Sequence, residues 1–246
     1  MKAYGLTDTG RARSKRINED TIFFSSDPIG TLPNALIVSD GMGGHRAGEV
    51  ASRKAVEFFC EYARSKTCGP DELLDFLVSA VGYANEKVYE MSMGDLSLYG
   101  MGATFSACAV SGSKLYIAHI GDSRAYLVSG GRINQLTNDH SYVNELVRAG
   151  RLSGKDARNH PRKNELTRVL GVEPGAKIDG IVYDADNGGF LLLCTDGLTN
   201  MLTDEEILSI VEGTGSLESK IRCLINAAND NGGLDNISAV GADLRR

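Results

Sequence analysis

Short β-rich runs that follow one another with no helix between them limit the folds open to this chain. They are Thr21–Phe24, Ala35–Val38, Ala103–Val110, Lys114–Ile120, Ala125–Val128, Ile178–Tyr183, Phe190–Cys194 and Ile237–Ala242. Helical spacing, by contrast, comes in pairs. Gly48–Lys66 carries Val50, Val56, Phe59 and Tyr62, and Pro70–Met91 carries Leu73, Leu77, Val81 and Val88, both at the recurrence of an amphipathic helix. Pro70 and Asp71 supply a start signal for the second. A further pair is predicted at Asp204–Val211 and Leu217–Asn229. Grouped strands with paired helices predict an α+β chain of mostly antiparallel sheets covered by helices, not a regular parallel βαβ array. No repeat, low-complexity tract or linker breaks the pattern, so residues 1–246 are read as a single domain. Between Thr137 and Leu170 the chain turns basic (Arg148, Arg151, Lys155, Arg158, Arg162, Lys163, Arg168) and loses strand character, which reads as a flap at about 141–168.

Composition removes several function classes. With 42% hydrophobic and 24% charged residues, the chain has the make-up of an ordinary globular protein. No stretch approaches the roughly 18 apolar residues of a membrane span, so no membrane partner is expected. The opening MKAYGLTDTG lacks the apolar core of a secretory signal, which predicts a cytoplasmic protein. A net charge of -6 argues against a nucleic-acid partner, because such binders carry a basic face. The five cysteines (Cys60, Cys68, Cys108, Cys194, Cys223) contain no CxxC pair, and an odd count fits reduced thiols. No cysteine has an arginine six positions on, so a phosphocysteine nucleophile is disfavoured.

The informative pattern is where the carboxylates fall. Asp40, Asp122 and Asp196 appear where apolar strands run out (ALIVSDGMGG, LYIAHIGDSR, FLLLCTDGL), and Asp235 lies just before one (GLDNISAVGA). The pair Glu19-Asp20 precedes Thr21–Phe24. Any one Asp-Gly is a common turn signal, but strand ends are rigid places to fix ligands, and several together suggest a cation site. Oxygen-only ligands suit magnesium or manganese, whereas zinc would bring histidine or cysteine. The four histidines show no HxxxH or HExxH spacing.

The ordered motifs Asn18-Glu19-Asp20, Asp40-Gly41-Met42-Gly43-Gly44-His45, Gly102-Ala103-Thr104, Gly121-Asp122-Ser123-Arg124, Asp139-His140-Ser141, Asn164-Glu165-Leu166-Thr167-Arg168, Thr195-Asp196-Gly197-Leu198 and Asp235-Asn236 closely resemble bacterial type 2C serine/threonine protein phosphatases, from about residue 5 to 243. The resemblance implies a four-layer α-β-β-α sandwich with two divalent cations, Mn2+ or Mg2+, in a cleft at one end. It implies that Asp40 bridges both cations and that the Gly41 carbonyl and Glu19 serve the second. Asp196 and Asp235 would complete the first, Asp122 with Asp196 would hold a possible third, Asn236 would support Asp235 from behind, and Asp20 would likewise stand behind the ligands. It also implies phosphoserine/phosphothreonine proteins as substrates, a cognate serine/threonine kinase or its targets as partners, and action as a monomer.

Two positions depart from the family pattern. Met42 stands where the better-known eukaryotic members carry histidine, leaving His45 as the candidate proton donor, or as a structural histidine. Lys15 stands where a phosphate-binding arginine is usual; Arg13 is preferred over Arg16, because a two-residue bulge after it would keep the Gly-x-x-Arg order. A planar fork suits phosphate better than a point charge. The competing readings are a catalytically weak pseudophosphatase that binds phosphopeptides, an aspartate-nucleophile phosphatase built on Asp184 and Asp186, and a calcium loop at the same DADNGG. The antiparallel surroundings argue against the second, and a glycine at the loop's fifth position argues against the third. The absence of GxxxxGK[ST] disfavours a nucleotide hydrolase.

Overall fold

A computed structural model of the chain describes residues 1–43, 47–69, 71–186 and 188–245. In chain order the strands are β1 (Lys2–Asp8), β2 (Asp20–Ser25), β3 (Ala35–Met42), β4 (Gly102–Ala103), β5 (Phe105–Ser111) and β6 (Lys114–Ile120). They continue with β7 (Arg124–Ser129), β8 (Arg132–Gln135), β9 (Asp179–Asp184), β10 (Phe190–Cys194) and β11 (Ile237–Asp243). The helices are α1 (Ala47–Ser65), α2 (Leu73–Gly94), α3 (Tyr142–Arg148), α4 (Gly154–Ala157), α5 (Asp196–Thr199), α6 (Asp204–Glu212) and α7 (Leu217–Asp230).

One antiparallel sheet runs β1-β11-β10-β7-β8, and the other runs β2-β3-β5-β6-β9 with β4 added against β3. Side chains alternate across each strand, and that alternation sorts the core into three layers. Leu36, Val38, Leu191, Leu193 and Val240 fill the space between the sheets. Ala35 and Ile37 turn the other way, toward Phe59 of α1 and Leu77 of α2. Leu192 and Cys194 turn toward Ile207 of α6 and Leu224 of α7. Strands such as FLLLC are therefore buried on both faces, which is why they read as unbroken apolar runs. Burying each such aliphatic side chain contributes about 1.5–3 kcal/mol. This is the predicted layered α+β sandwich.

Several expectations change in detail. β1 and β8 were not anticipated. The predicted run Ala103–Val110 divides at Thr104 into β4 and β5. The second helix begins at Leu73, with Glu72 before it and no side-chain cap, so Asp71 does not start it, and Pro70 lies outside the described residues. Helix α6 starts at Asp204, where its predicted range began, and Thr203 and Glu206 form a reciprocal capping box there. Asp184 and Asp186 form a turn, the Asp186 N–H donating to Asp184 Oδ1 at 3.1 Å; Asn187 of that segment lies outside the described residues.

The basic stretch after Thr137 folds into α3 and α4. Its two ends meet, for the Tyr142 N–H donates to the Glu165 carbonyl and the Thr167 N–H to the His140 carbonyl, each at 2.8 Å. Among the described residues, no helix is long and apolar enough to cross a membrane.

Candidate active site

Both sheets deliver carboxylates to one end of the sandwich. Asp40 lies near the end of β3, Asp20 opens β2 as its cross-strand partner, and Asp122 follows β6. Residues opposite one another in an antiparallel pair share a face, so Asp20 and Asp40 are side by side. From the other sheet, Asp196 leaves β10 as the first residue of α5, and Asp235 precedes β11.

Hydroxyls fix this end of the molecule. Opposite Asp40, the Thr104 N–H donates to the Asp40 carbonyl at 2.8 Å. The return bond comes from a side chain: the Asp40 N–H donates to Thr104 Oγ1 at 2.9 Å, while the Thr104 carbonyl accepts from Ser39 Oγ at 2.7 Å. Thr104 Oγ1 also lies 2.7 Å from Ser123 Oγ, which couples the Asp40 strand to the Asp122 turn. Deeper in, Asp20 Oδ2 accepts from Thr195 at 2.9 Å and from Ser238 at 2.6 Å. Thr104, Ser123 and Thr195 stand in the motifs quoted above, but no role was read for them or for Ser39 and Ser238, because a hydroxyl shows its role only when a strand distant in sequence supplies its partner.

The charge balance here is unfavourable without a cation. Withdrawal from solvent raises the carboxyl of Asp40 well above its ordinary value, and Asp20, Asp196 and Asp122 add repulsion. Asp122 is raised for the same first reason, with Asp196 next. Asp20 is pushed up to about 7 by burial, despite its two hydroxyl donors. Asp196 is raised by burial, against the opposing effects of the neighbouring Asp40 and of Asn200, whose Nδ2 donates to Asp196 Oδ2 at 2.9 Å. Asp20 Oδ1 and Asp196 Oδ1 are buried with no hydrogen-bond partner among the described residues. Such oxygens are costly, and an all-oxygen set of this kind fits a hard divalent cation.

Glu19 and Gly41 make a second focus. The Gly41 N–H donates to the Glu19 carbonyl at 3.1 Å. A Cβ built on Gly48 of α1 would fall 2.4 Å from Glu19 Oε1 and 2.7 Å from the Gly41 carbonyl oxygen, so both oxygens border a space that only a glycine leaves open. Arg13 lies in a 3-10 turn at Arg11–Arg13 and donates through Nη2 to Glu19 Oε2 at 3.1 Å. Its Nη1 pairs with Asp235. Among the described residues no three acidic, histidine or cysteine side chains converge as they would around an ion; Arg13 pairs with both Glu19 and Asp235.

The remaining predicted residues fall as follows. Lys15 and Arg16 are exposed and Arg13 faces inward. The Asn236 side chain does not hydrogen-bond to Asp235, the ligand it was expected to support; its Oδ1 accepts from the Glu19 N–H at 2.9 Å and its Nδ2 donates to the Thr9 carbonyl at 3.0 Å. Only its backbone N–H reaches Asp235 Oδ1, at 2.8 Å. His45 lies outside the described residues. Arg124 makes a forked pair with Asp139, Nε and Nη2 donating at 2.7–3.0 Å, a bond that holds the start of the basic stretch against β7.

Comparison with known proteins gives a consistent result. The sequence profile described as protein phosphatase 2C matches residues 7–238. The chain is 40% identical over 244 residues to serine/threonine phosphatase stp of Listeria welshimeri, covering 98% of this chain and 94% of that one. It superposes on serine/threonine phosphatase Stp1 from Staphylococcus aureus with a TM-score of 0.93 at 31% identity, covering 100% and 95% of the two chains. The catalytic domain of the serine threonine protein phosphatase PstP, solved in complex with 2 manganese ions, aligns with a TM-score of 0.86 at 31% identity, covering 100% and 98%.

Proposed function

The chain belongs to the protein phosphatase 2C family, and on that footing we propose that manganese or magnesium ions are held by Asp40, the Gly41 carbonyl, Glu19, Asp196 and Asp235, with Asp122 and Asp196 offering a third place. The protein is a serine/threonine phosphoprotein phosphatase, as its relatives are. The observation that supports the cation assignment is the pair Asp40 and Asp196, half-buried and delivered from different sheets, with Asp20 Oδ1 and Asp196 Oδ1 buried and without a hydrogen-bond partner among the described residues. Divalent cations in such a place supply Lewis acidity toward phosphoryl oxygens and a nucleophile at neutral pH.

The chain's own residues do the rest. Arg13, facing inward beside Glu19 and Asp235, offers phosphate a planar fork. Asp20 and Asn236 act from behind: Asp20 is locked by Thr195 and Ser238, and Asn236 holds the Glu19 backbone. The proton for the departing alkoxide is assigned to His45 on sequence position alone. Residues 141–168 form the flap, closed at its neck by the Tyr142–Glu165 and His140–Thr167 backbone bonds. A serine/threonine kinase, or the proteins it phosphorylates, is the matching partner. One chain carries every residue named, which supports action as a monomer, and five unpaired thiols support a cytoplasmic setting.

The test is hydrolysis of a phosphothreonine peptide with added manganese. Turnover abolished by a chelator and by Asp196→Asn supports the assignment. A folded protein that takes up manganese yet turns over neither this peptide nor an aryl phosphate would falsify it.

A further inference from the structure

A cavity of about 180 Å³ lies between the carboxylate end of the sandwich and the flap, bordered by Asp122 and Asp196 on one side and by α3 and α4 on the other. We propose that it receives an anionic side chain of the substrate, a glutamate, an aspartate or a second phosphothreonine, near in sequence to the phosphoresidue being hydrolysed. The proposal rests on the phosphatase reading and adds to it a preference in substrate.

The lining has an unequal charge balance. Asp139 cancels Arg124 through their forked pair. Asp122 and Asp196 face the place assigned to cations. That leaves Lys163 and Arg158, both lining the cavity, and neither makes an ion pair among the described residues. Lys163 is half-buried and Arg158 exposed, so the two cations lie in the cleft and at its rim. Val143, Val147 and Ala157 supply an apolar wall beside them. A cavity this small, below the roughly 300 Å³ at which small-molecule pockets begin, suits one side chain. An apolar wall with a cationic end fits a short aliphatic stem that carries a negative charge, which glutamate, aspartate and phosphothreonine share. Because Asp122 and Asp196 are common to the cavity and the carboxylate cluster, an occupant there belongs to the same peptide as the reacting residue.

The experiment uses the full chain with saturating manganese and phosphothreonine peptides bearing alanine, glutamate, aspartate or a second phosphothreonine at each neighbouring position in turn. The readout is the ratio of kcat/KM for the anionic peptide to that for its alanine counterpart, taken within each protein so that any general loss cancels. We expect a ratio of about tenfold at one position or more, as a charge-assisted contact gives, falling toward one in Lys163→Gln and Arg158→Gln and retained in Lys163→Arg. A greater ratio for phosphothreonine than for glutamate identifies a second phosphate as the preferred occupant, and the reverse identifies a carboxylate. A wild-type ratio near one at every position, or a ratio that survives both glutamine substitutions, overturns the proposal while leaving the phosphatase reading intact. Absence of turnover of the alanine peptide overturns both.

Discussion

Arg13 donates through Nη2 to Oε2 of Glu19 at 3.1 Å, and its other amine reaches Asp235, so one guanidinium joins a residue before β2 to a residue before β11. The same fork is assigned to phosphate. Arg13→Ala is expected to lower kcat/KM for a phosphopeptide about 100-fold, the scale of a lost two-bond, charge-assisted fork, mostly through KM if the fork binds substrate and transition state alike. Arg13→Lys keeps the charge without the fork and should recover only part of the loss. Steady-state kinetics of the two variants decide; wild-type kcat/KM in Arg13→Ala would move the assignment to Lys15 or Arg16.

Gly48 has no chemistry of its own, yet it borders Glu19 and the Gly41 carbonyl. Its replacement by alanine places a methyl 2.4 Å from Glu19 Oε1, so the carboxylate must move away from the Gly41 oxygen. Gly48→Ala should raise the manganese concentration for half-maximal activity by about 10–100-fold, as displaced supporting groups do, with the helix retained because alanine is the better helix former. Titration of activity and calorimetry with manganese measure the shift; an unchanged half-saturation would remove Glu19 and Gly41 from the cation site.

Asp20 sets a pH dependence that a chelator should expose. Its carboxyl, ordinarily near 3.8, is pushed up to about 7 in the folded chain. A raised folded value means that its contribution to stability is complete below about 4 and is lost as pH rises through about 7. In chelator the unfolding free energy of the wild type should therefore fall between pH 4 and 8, by up to about 4 kcal/mol from this group at 1.36 kcal/mol per unit. Asp20→Asn should flatten that fall. Denaturant titrations across this range test it, and parallel slopes for the two proteins would rule it out.

His119 works in the opposite direction. It is fully buried on β6, its Nδ1 2.8 Å from Ser106 Oγ and its Nε2 3.1 Å from the Asn138 carbonyl, a pattern that the neutral ring satisfies. Burial depresses its value from 6.5 to about 4, with His140 adding repulsion. A depressed value means stability that is complete above about 6.5 and lost as pH falls through about 4, up to about 3 kcal/mol from this group. His119→Gln, which cannot titrate, should show a shallower acid-side fall in unfolding free energy than the wild type with the carboxylate cluster saturated with magnesium. An equal acid slope would assign the loss to other groups.

The fold was legible where burial is two-sided. FLLLC of β10 and ALIV of β3 face apolar layers on both sides, so every position is apolar and the strand shows. β1, KAYGLTD, is half-exposed and contains Gly5, and its pairing with β11 joins the two ends of the chain, which no local pattern encodes. β8 is four mostly polar residues at a sheet edge. Its readable signal was Gly130-Gly131, both at positive φ (59° and 73°), the conformation of a tight hairpin turn. At the site, aspartates were legible because a charge at the end of an apolar run is conspicuous. The roles of Thr104, Ser123, Thr195 and Ser238 were not, because each gains its role from a partner distant in sequence. Gly48 looked like an indifferent helix residue until the Glu19 carboxylate was placed beside it.

Asp40 lies on one sheet and Asp196 just beyond a strand of the other, and the thickness of the Leu36, Val38, Leu191 and Leu193 layer sets how far apart those sheets lie. The sandwich thus behaves as a calliper whose jaws are the two aspartates and whose setting screw is hydrocarbon. A methylene removed from that layer touches neither substrate nor cation, yet it resets the gap between the jaws. Ion affinity then becomes a gauge of core packing, and variants that drift in the core should register first as a weaker grip on manganese, before unfolding becomes measurable.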